Sequence, residues 1–492
     1  MSQSHTEGPD GVREFRLLIG GEWVPASDGG SLENRNPADD ADLIGRFAAA
    51  TAADAAAAVD AAHGAFAAWR ATPVGKRAAV LEKAADYLDH HAEEFGAELT
   101  REEGKLASLG VAEVKRSAQT LRFYAVEGQT ITGEVFPQDD SKMTVYTQRE
   151  PLGVATVITP WNFPISIPAR KIAPALVTGN TVVFKPSSEA PLIGLRLVEA
   201  LVAGGLPAGA LNLVTGPSAA SGPAITADPR VRAISFTGST AAGRAIHSGL
   251  PMTTRTQMEL GGKNPLIVLA DADLDEAVKL AIGGGFSLTG QACTGTSRVL
   301  VEKTVVAAFE ERLKAATEAL AVGAGTDPAS KIGPLASKRQ LESVMGYIEA
   351  GKREARLVCG GQRLTGGAYD KGWYVAPTVF ADVAPGAVIA QEEIFGPVLA
   401  LIPVDGYEHA IEVANGVEYG LSAALATKNF DYIQRFPADI EAGTVKVNRT
   451  TTGNLVNAPF GGVKASSTAT FRESGRAGLE FFTQAKTVYL GR

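Results

Sequence analysis

The chain has 492 residues, 45% of them hydrophobic and 20% charged, with a formal net charge of −8. That length provides for large cores and corresponds to about three domains of ~100–200 residues each. The acidic balance offers no basic face for nucleic acid, no apolar run reaches the ~18 residues of a membrane span, and two cysteines make no disulfide framework.

The opening residues are polar before Leu17, with no basic stretch leading into an apolar run. No signal peptide is therefore read, and a reducing, cytoplasmic setting is expected. Residues 48–69 are Ala-rich, with Val59, Phe66 and Trp69 at roughly helical spacing, and predict an amphipathic surface helix. Residues 76–121 predict further helix through Val80, Leu81, Ala84, Leu88, Phe95 and Leu99. Gly133 and Pro137 then punctuate the chain before a strand over 143–149.

From Gly153 short apolar runs alternate with helices. Strands are predicted at 154–158, 181–185, 211–215 and 233–237, with helices at 169–178, 191–203, 219–227 and 240–248. Such alternation implies parallel strands with helical crossovers, the doubly wound α/β sheet. A second α/β run begins near Pro265. Its strands are predicted at 266–269, 373–380, 398–403 and 444–448, its helices at 274–283 and 305–320. The strand-like end, 481–490, and the hairpin near 130–148 need partners, and a small β sheet joining subunits is the simplest arrangement.

Three fragments carry the chemistry. Cys293 lies in Gly-Gln-Ala-Cys-Thr-Gly (290–295), where small polar neighbours suit a site better than a core. Glu259 ends Gln-Met-Glu-Leu-Gly-Gly, and Asn162 stands in Thr-Pro-Trp-Asn-Phe-Pro (159–164). A thiol nucleophile, a carboxylate base and an amide donor are the parts of an acyl-thioester mechanism. Taken singly, each has a plainer reading: a buried cysteine, a solvated surface carboxylate, a turn asparagine. In this order and wording the fragments resemble the aldehyde dehydrogenase superfamily, over essentially the whole chain from about Ile19 to Tyr489.

The resemblance implies that Cys293 attacks an aldehyde, that Asn162 and the Cys293 backbone N–H hold the oxyanion, and that Glu259 activates the hydrolytic water. Lys171 is either a helix-surface charge or a member of a proton network. No Gly-x-Gly-x-x-Gly fingerprint occurs in the chain. The resemblance replaces it with Phe236-Thr-Gly238-Ser239-Thr at a helix start, where pyrophosphate can meet the helix N-terminus. It also implies cofactor contacts at Thr159, Trp161, Lys185, Ser187, Ser188 and Gly216, and at Glu393 and Phe395 beside the nicotinamide ribose. Many NAD-preferring relatives carry Glu where this chain has Ser188. Without that carboxylate a ribose 2′-phosphate is not repelled, so NADP should serve at least as well as NAD.

The closing segments, Asn457-Ala-Pro-Phe-Gly-Gly-Val-Lys and Ser466 to Glu473, resemble semialdehyde-acid dehydrogenases, notably of 2,5-dioxopentanoate. Arg170 then binds the distal carboxylate or merely pairs on its helix, and Arg449 is a second candidate. Alternatives are a CoA-acylating relative, against which Glu259 speaks, and a non-catalytic protein on the same scaffold. A cysteine hydrolase is a third alternative, but it would want a partnered histidine. The six histidines are scattered and no zinc spacing occurs, so no metal is expected. The resemblance implies a dinucleotide-binding domain over 1–125 and 149–259, a catalytic domain over 260–470, and an association arm over 126–148 and 471–492 in a homo-oligomer, dimer or tetramer.

Overall fold

The computed structural model describes residues 4–468 and 470–491. Two seven-stranded sheets organise the chain. The first runs in the order Arg255–Glu259, Val231–Thr237, Val154–Ile158, Thr181–Lys185, Leu211–Leu213, Leu17–Ile19, Glu22–Val24. Its first five strands are parallel, and the last two join antiparallel. The reason lies in the residues: Val154, Ala155, Val157, Val182, Val183 and Phe184 are at most 1% exposed, so both faces of the central strands are covered. Each such buried Val or Phe side chain stabilises the fold by roughly 1.5–3 kcal/mol.

From Val154–Ile158 the chain builds outward through Thr181–Lys185 and Leu211–Leu213, then returns to add Val231–Thr237 on the other flank. Strand order therefore reverses beside Val154–Ile158, and a crevice opens at the carboxyl ends of the strands there. The second sheet runs Arg356–Cys359, Thr378–Ala381, Val398–Val404, Thr296–Glu302, Asn264–Val268, Ser422–Ala426, Thr444–Val447. All its pairings are parallel except the first. The doubly wound α/β reading holds for both sheets.

The terminal strand Thr483–Gly491 pairs antiparallel with Met143–Pro151, which also pairs with Val135–Phe136. The small third sheet thus forms from the two segments expected to meet. A four-stranded sheet of His5–Glu7, Arg13–Phe15, Asp39–Ala48 and Ser31–Asn36 was not anticipated. Three of its strands are short, and Ser31–Asn36 buries only Asn34, while the ten-residue Asp39–Ala48 buries Ile44, Phe47 and Ala48.

Several boundaries differ from expectation. The helical region 76–121 is three helices, Val74–His90, Ala92–Glu103 and Ala107–Glu127. The second break falls at Gly104, whose left-handed φ of 91° ends the helix. The strand expected at 373–380 is only Thr378–Ala381. Phe481 closes the helix Gly475–Phe481 rather than opening the last strand. Helices Lys338–Glu354, Tyr407–Asn415 and Phe430–Asp439 were missed. Among the described residues no helix is long and apolar enough to cross a membrane.

Candidate active site

Cys293 is set by a sharp turn. After the helix Leu274–Phe286, Leu288, Thr289 and Gly290 all take positive φ (51°, 58° and 70°). Two non-glycine residues there store about 1–3 kcal/mol each, strain that the surroundings must hold. At Gly290 only glycine fits, since a Cβ would lie 2.1 Å from the Gly396 carbonyl oxygen. Further on, Asn264 Nδ2 donates to the carbonyls of Cys293 (2.8 Å) and Gly295 (2.9 Å), just ahead of the strand Thr296–Glu302. Cys359, by contrast, is a buried core residue of the second sheet.

Two cavities flank the thiol, of about 610 and 620 Å3, and Cys293 is the one described residue that lines both. Burial, then the charge of Glu393, pushes its thiol up to about 12. A thiol in that state is protonated at neutral pH, so its activation needs a base or a nearby positive charge.

Asn162 sits beside the Cys293 loop. It is 2% exposed, and its Nδ2 donates to the Gln291 carbonyl at 2.9 Å, which leaves the second N–H of the amide for a ligand. Its own carbonyl accepts from Lys105 Nζ at 2.8 Å. Lys105 is paired with Glu113 at 2.6 Å, and Glu113 Oε1 accepts the backbone N–H groups of Ile165 (3.3 Å) and Ser166 (3.1 Å). A buried, fully engaged ion pair thus fixes the backbone that carries Asn162.

Glu259 ends the strand Arg255–Glu259 and is 3% exposed, on the wall of neither cavity. Neither carboxylate oxygen has a hydrogen-bond partner among the described residues. Burial first, then Glu473, raises its pKa well above the ordinary carboxylate range. Glu473 is held the other way: burial works against ionisation, but Lys171 and Arg170 outweigh it and keep Glu473 charged. Lys171 Nζ lies 2.6 Å from Glu473 Oε2 and donates to Ser235 Oγ at 2.9 Å, while Arg170 Nε lies 3.3 Å from Glu473 Oε1. Lys171 is wholly buried, which excludes its reading as a helix-surface charge. Two carboxyls with pKa values pushed apart are the arrangement that separates a proton acceptor from a fixed charge.

The 620 Å3 cavity lies at the strand-order reversal. Thr159, Trp161, Lys185, Ser187, Ser188, Phe236, Gly238, Ser239, Glu393 and Phe395 all line it. Ser239 caps the helix Thr240–Ser248, accepting from Ala242 N at 3.3 Å. The hydroxyls of Thr159 and Thr237 are buried without partners among the described residues, so polar groups await a ligand here. Burial lowers Lys185 to about 8. Its ammonium and Ser188 Oγ both donate to the Gly216 carbonyl, each at 2.8 Å. Glu393 accepts from Gly262 N at 3.0 Å, and burial pushes it up to about 7. Phe395 packs edge-on against Trp161, centroids 5.4 Å apart. These groups fit a dinucleotide: a helix N-terminus and free hydroxyls for phosphate, a cation and small polar residues for a ribose, a carboxylate at the thiol end.

Gly216 is the exception. It is buried and does not line the cavity. Its φ of 102° and the Ala49 backbone, 2.8 Å from where a Cβ would stand, account for the glycine. Its link to the site is the carbonyl that orients Lys185 and Ser188.

The 610 Å3 cavity lies on the other side of Cys293, between the helices Ala107–Glu127 and Ser166–Val177 and the loop 452–454. Arg170 lines it, with its guanidinium 5.6 Å from the Phe460 ring centroid. Arg449 does not line it; it is exposed. The structure brings two residues to the site that the sequence did not single out, Arg116 and Glu473. Arg116 had no motif around it, whereas Glu473 closed a segment already noted as distinctive.

Comparison with known proteins follows the same lines. The model of the aldehyde dehydrogenase family matches residues 23–488. An alpha-ketoglutaric semialdehyde dehydrogenase of Bacillus subtilis is 44% identical over 475 residues, 96% of this chain and 97% of its own. A 2,5-dioxopentanoate dehydrogenase of Saccharolobus solfataricus is 40% identical over 96% of this chain and 98% of its own. Among solved structures, a betaine aldehyde dehydrogenase of Staphylococcus aureus in complex with NAD+ superposes with a TM-score of 0.94 at 32% identity, covering 96% of this chain and 94% of that one.

Proposed function

The chain belongs to the aldehyde dehydrogenase family, and on that premise we propose that it oxidises a semialdehyde acid such as 2,5-dioxopentanoate to the dicarboxylic acid. The observation that carries the reading is Cys293 as the shared wall of two cavities, with Asn162 at its side. One cavity receives the aldehyde and the other the dinucleotide.

Cys293, once deprotonated, attacks the aldehyde carbon. The free N–H of Asn162 and the backbone N–H of Cys293 receive the oxyanion, a type of contact worth ~10²–10³ in rate per donor. When bound, the nicotinamide supplies the hydride acceptor. A thioester on Cys293 follows, and Glu259 takes a proton from the water that hydrolyses it. Its raised pKa suits that task, because a carboxylate of raised pKa is a stronger base than an ordinary one. Lys171 and Arg170 keep Glu473 ionised behind it.

Ser188 carries the cofactor preference in this reading, because a hydroxyl accepts either ribose. NADP is therefore assigned at least equal standing with NAD. Cofactor binding is assigned to 1–125 and 149–259, catalysis to 260–470, and association into a homo-oligomer, dimer or tetramer, to 126–148 with 471–492. Exposed Val135 (76%), Tyr489 (67%) and Leu490 (50%) support the last assignment.

The test is a panel of aldehydes with NAD and with NADP, followed by absorbance at 340 nm, on the native protein and on Cys293→Ala. Oxidation of 2,5-dioxopentanoate that Cys293→Ala abolishes is expected. Unchanged turnover in that variant would refute the mechanism. Acyl-CoA formed when CoA is added would refute the hydrolytic second half.

A further inference from the structure

Four cationic side chains stand on the aldehyde-side cavity, and three have carboxylate partners. Lys105 is paired with Glu113, Lys115 with Glu93 at 3.1 Å, and Arg170 with Glu473. Arg116, half-buried on the helix Ala107–Glu127, makes no ion pair among the described residues. Its Nη2 donates instead to the carbonyl of Asn454 and, at 3.1 Å, to Asn454 Oδ1. Burial and then the neighbouring charge of Arg170 both disfavour its protonated form. A guanidinium held charged under those conditions attracts an anion, and its fork matches a carboxylate.

The seat of Arg116 is itself built. Lys446, on the strand Thr444–Val447, donates to three successive carbonyls, those of Thr451 (3.0 Å), Thr452 and Gly453 (2.5 Å). The Thr451 carbonyl also accepts from Ser422 Oγ at 2.7 Å, and Thr451 Oγ1 meets Thr296 Oγ1 at 2.8 Å. Thr452, Gly453 and Asn454 then line the cavity, and Asn454 receives Arg116. Lys446 itself is not on the cavity wall. One ammonium thus converges the carbonyls of a loop that carries no regular hydrogen-bonding pattern of its own.

We propose that Arg116, seated on the loop that Lys446 gathers, is the specificity-determining cation that receives the substrate's distal carboxylate, with Arg170 kept to Glu473. The proposal rests on the semialdehyde-acid reading above. Arg116 acts on substrate directly; Lys446 is a positioning residue.

The experiment measures kcat and KM for 2,5-dioxopentanoate and for uncharged pentanal, on the native protein, Arg116→Gln, Arg116→Lys and Lys446→Met. It adds glutarate as a competitive inhibitor. In Arg116→Gln, kcat/KM for the acid should fall about 10- to 100-fold, mostly in KM, as for one charge-assisted hydrogen-bonded contact. Pentanal turnover should stay within about twofold and so report correct folding, while glutarate inhibition weakens in parallel. Arg116→Lys should recover part of the loss, and Lys446→Met should shift the acid-to-pentanal ratio in the same direction. An unaltered acid-to-pentanal ratio in Arg116→Gln would overturn the proposal while leaving the functional reading intact. A native protein that favours pentanal over the acid would sink the functional reading, and this proposal with it.

Discussion

Replacing Glu259 by Gln separates the two halves of the reaction. The carboxyl is 3% exposed, has no hydrogen-bond partner among the described residues, and carries a pKa raised chiefly by burial. In the folded state burial therefore favours the neutral acid more than water does. Gln keeps the shape of the carboxyl and carries no charge, so the exchange should not lower stability. Linkage gives the sign: a carboxyl whose folded pKa lies above its unfolded value destabilises the fold increasingly as pH rises through that interval. Removing it should leave Tm unchanged or higher at pH 8. The chemical effect is different. Attack by Cys293 and hydride transfer do not use the water-activating base, whereas thioester hydrolysis does. General-base assistance is worth ~10²–10⁴-fold, so steady-state kcat should fall by that factor. Stopped-flow absorbance at 340 nm should show a burst of reduced cofactor close to one per active site, then the slow steady state. Loss of the burst together with the turnover would place Glu259 before hydride transfer instead. Full steady-state turnover would remove it from the mechanism.

Asn162→Ala should lower kcat about 10²–10³-fold with little change in cofactor KM; a loss below tenfold would mean that the Cys293 backbone N–H suffices. The pH profile of kcat in the native protein should show an activity limb that rises with pH and lies above the ordinary carboxylate range, because Glu259 must be ionised to act. That limb should vanish in Glu259→Gln, and its persistence would assign it to another group. Ser188→Glu should shift the ratio of kcat/KM values for NADP and NAD toward NAD by tenfold or more, read at 340 nm, since a like charge beside a 2′-phosphate is strongly unfavourable.

The legible parts of this chain were those with local signals. Val154–Ile158 and Thr181–Lys185 could be read because β-branched apolar runs are bounded by Gly153 and by Gly179-Asn180. The short N-terminal strands could not, because residues such as those in Ser31–Asn36 alternate polar groups whose pairing depends on distant chain. The helix Lys338–Glu354 does bury Leu341, Val344, Ile348 and Gly351 at helical spacing, so its signal is present in the sequence. In the site, Cys293, Asn162 and the cofactor candidates that line the 620 Å3 cavity stand in wording that has local context. Arg116 was not, because a single arginine in mid-helix looks like any solvated charge until a loop more than 300 residues later folds onto it. Arg449 had the opposite history: it is near the right loop in sequence, yet its exposed side chain stays off the cavity wall.

Because Cys293 is the one described residue shared by the two cavities, an aldehyde and a dinucleotide bound as proposed would approach it from separate sides. Each chamber can accept variation without a matching change in the other. A laboratory library randomised around the loop 452–454 should therefore yield new aldehyde preferences at constant nucleotide affinity. On the proposed assignment, the same partition would let a nucleotide stay docked while the acid departs.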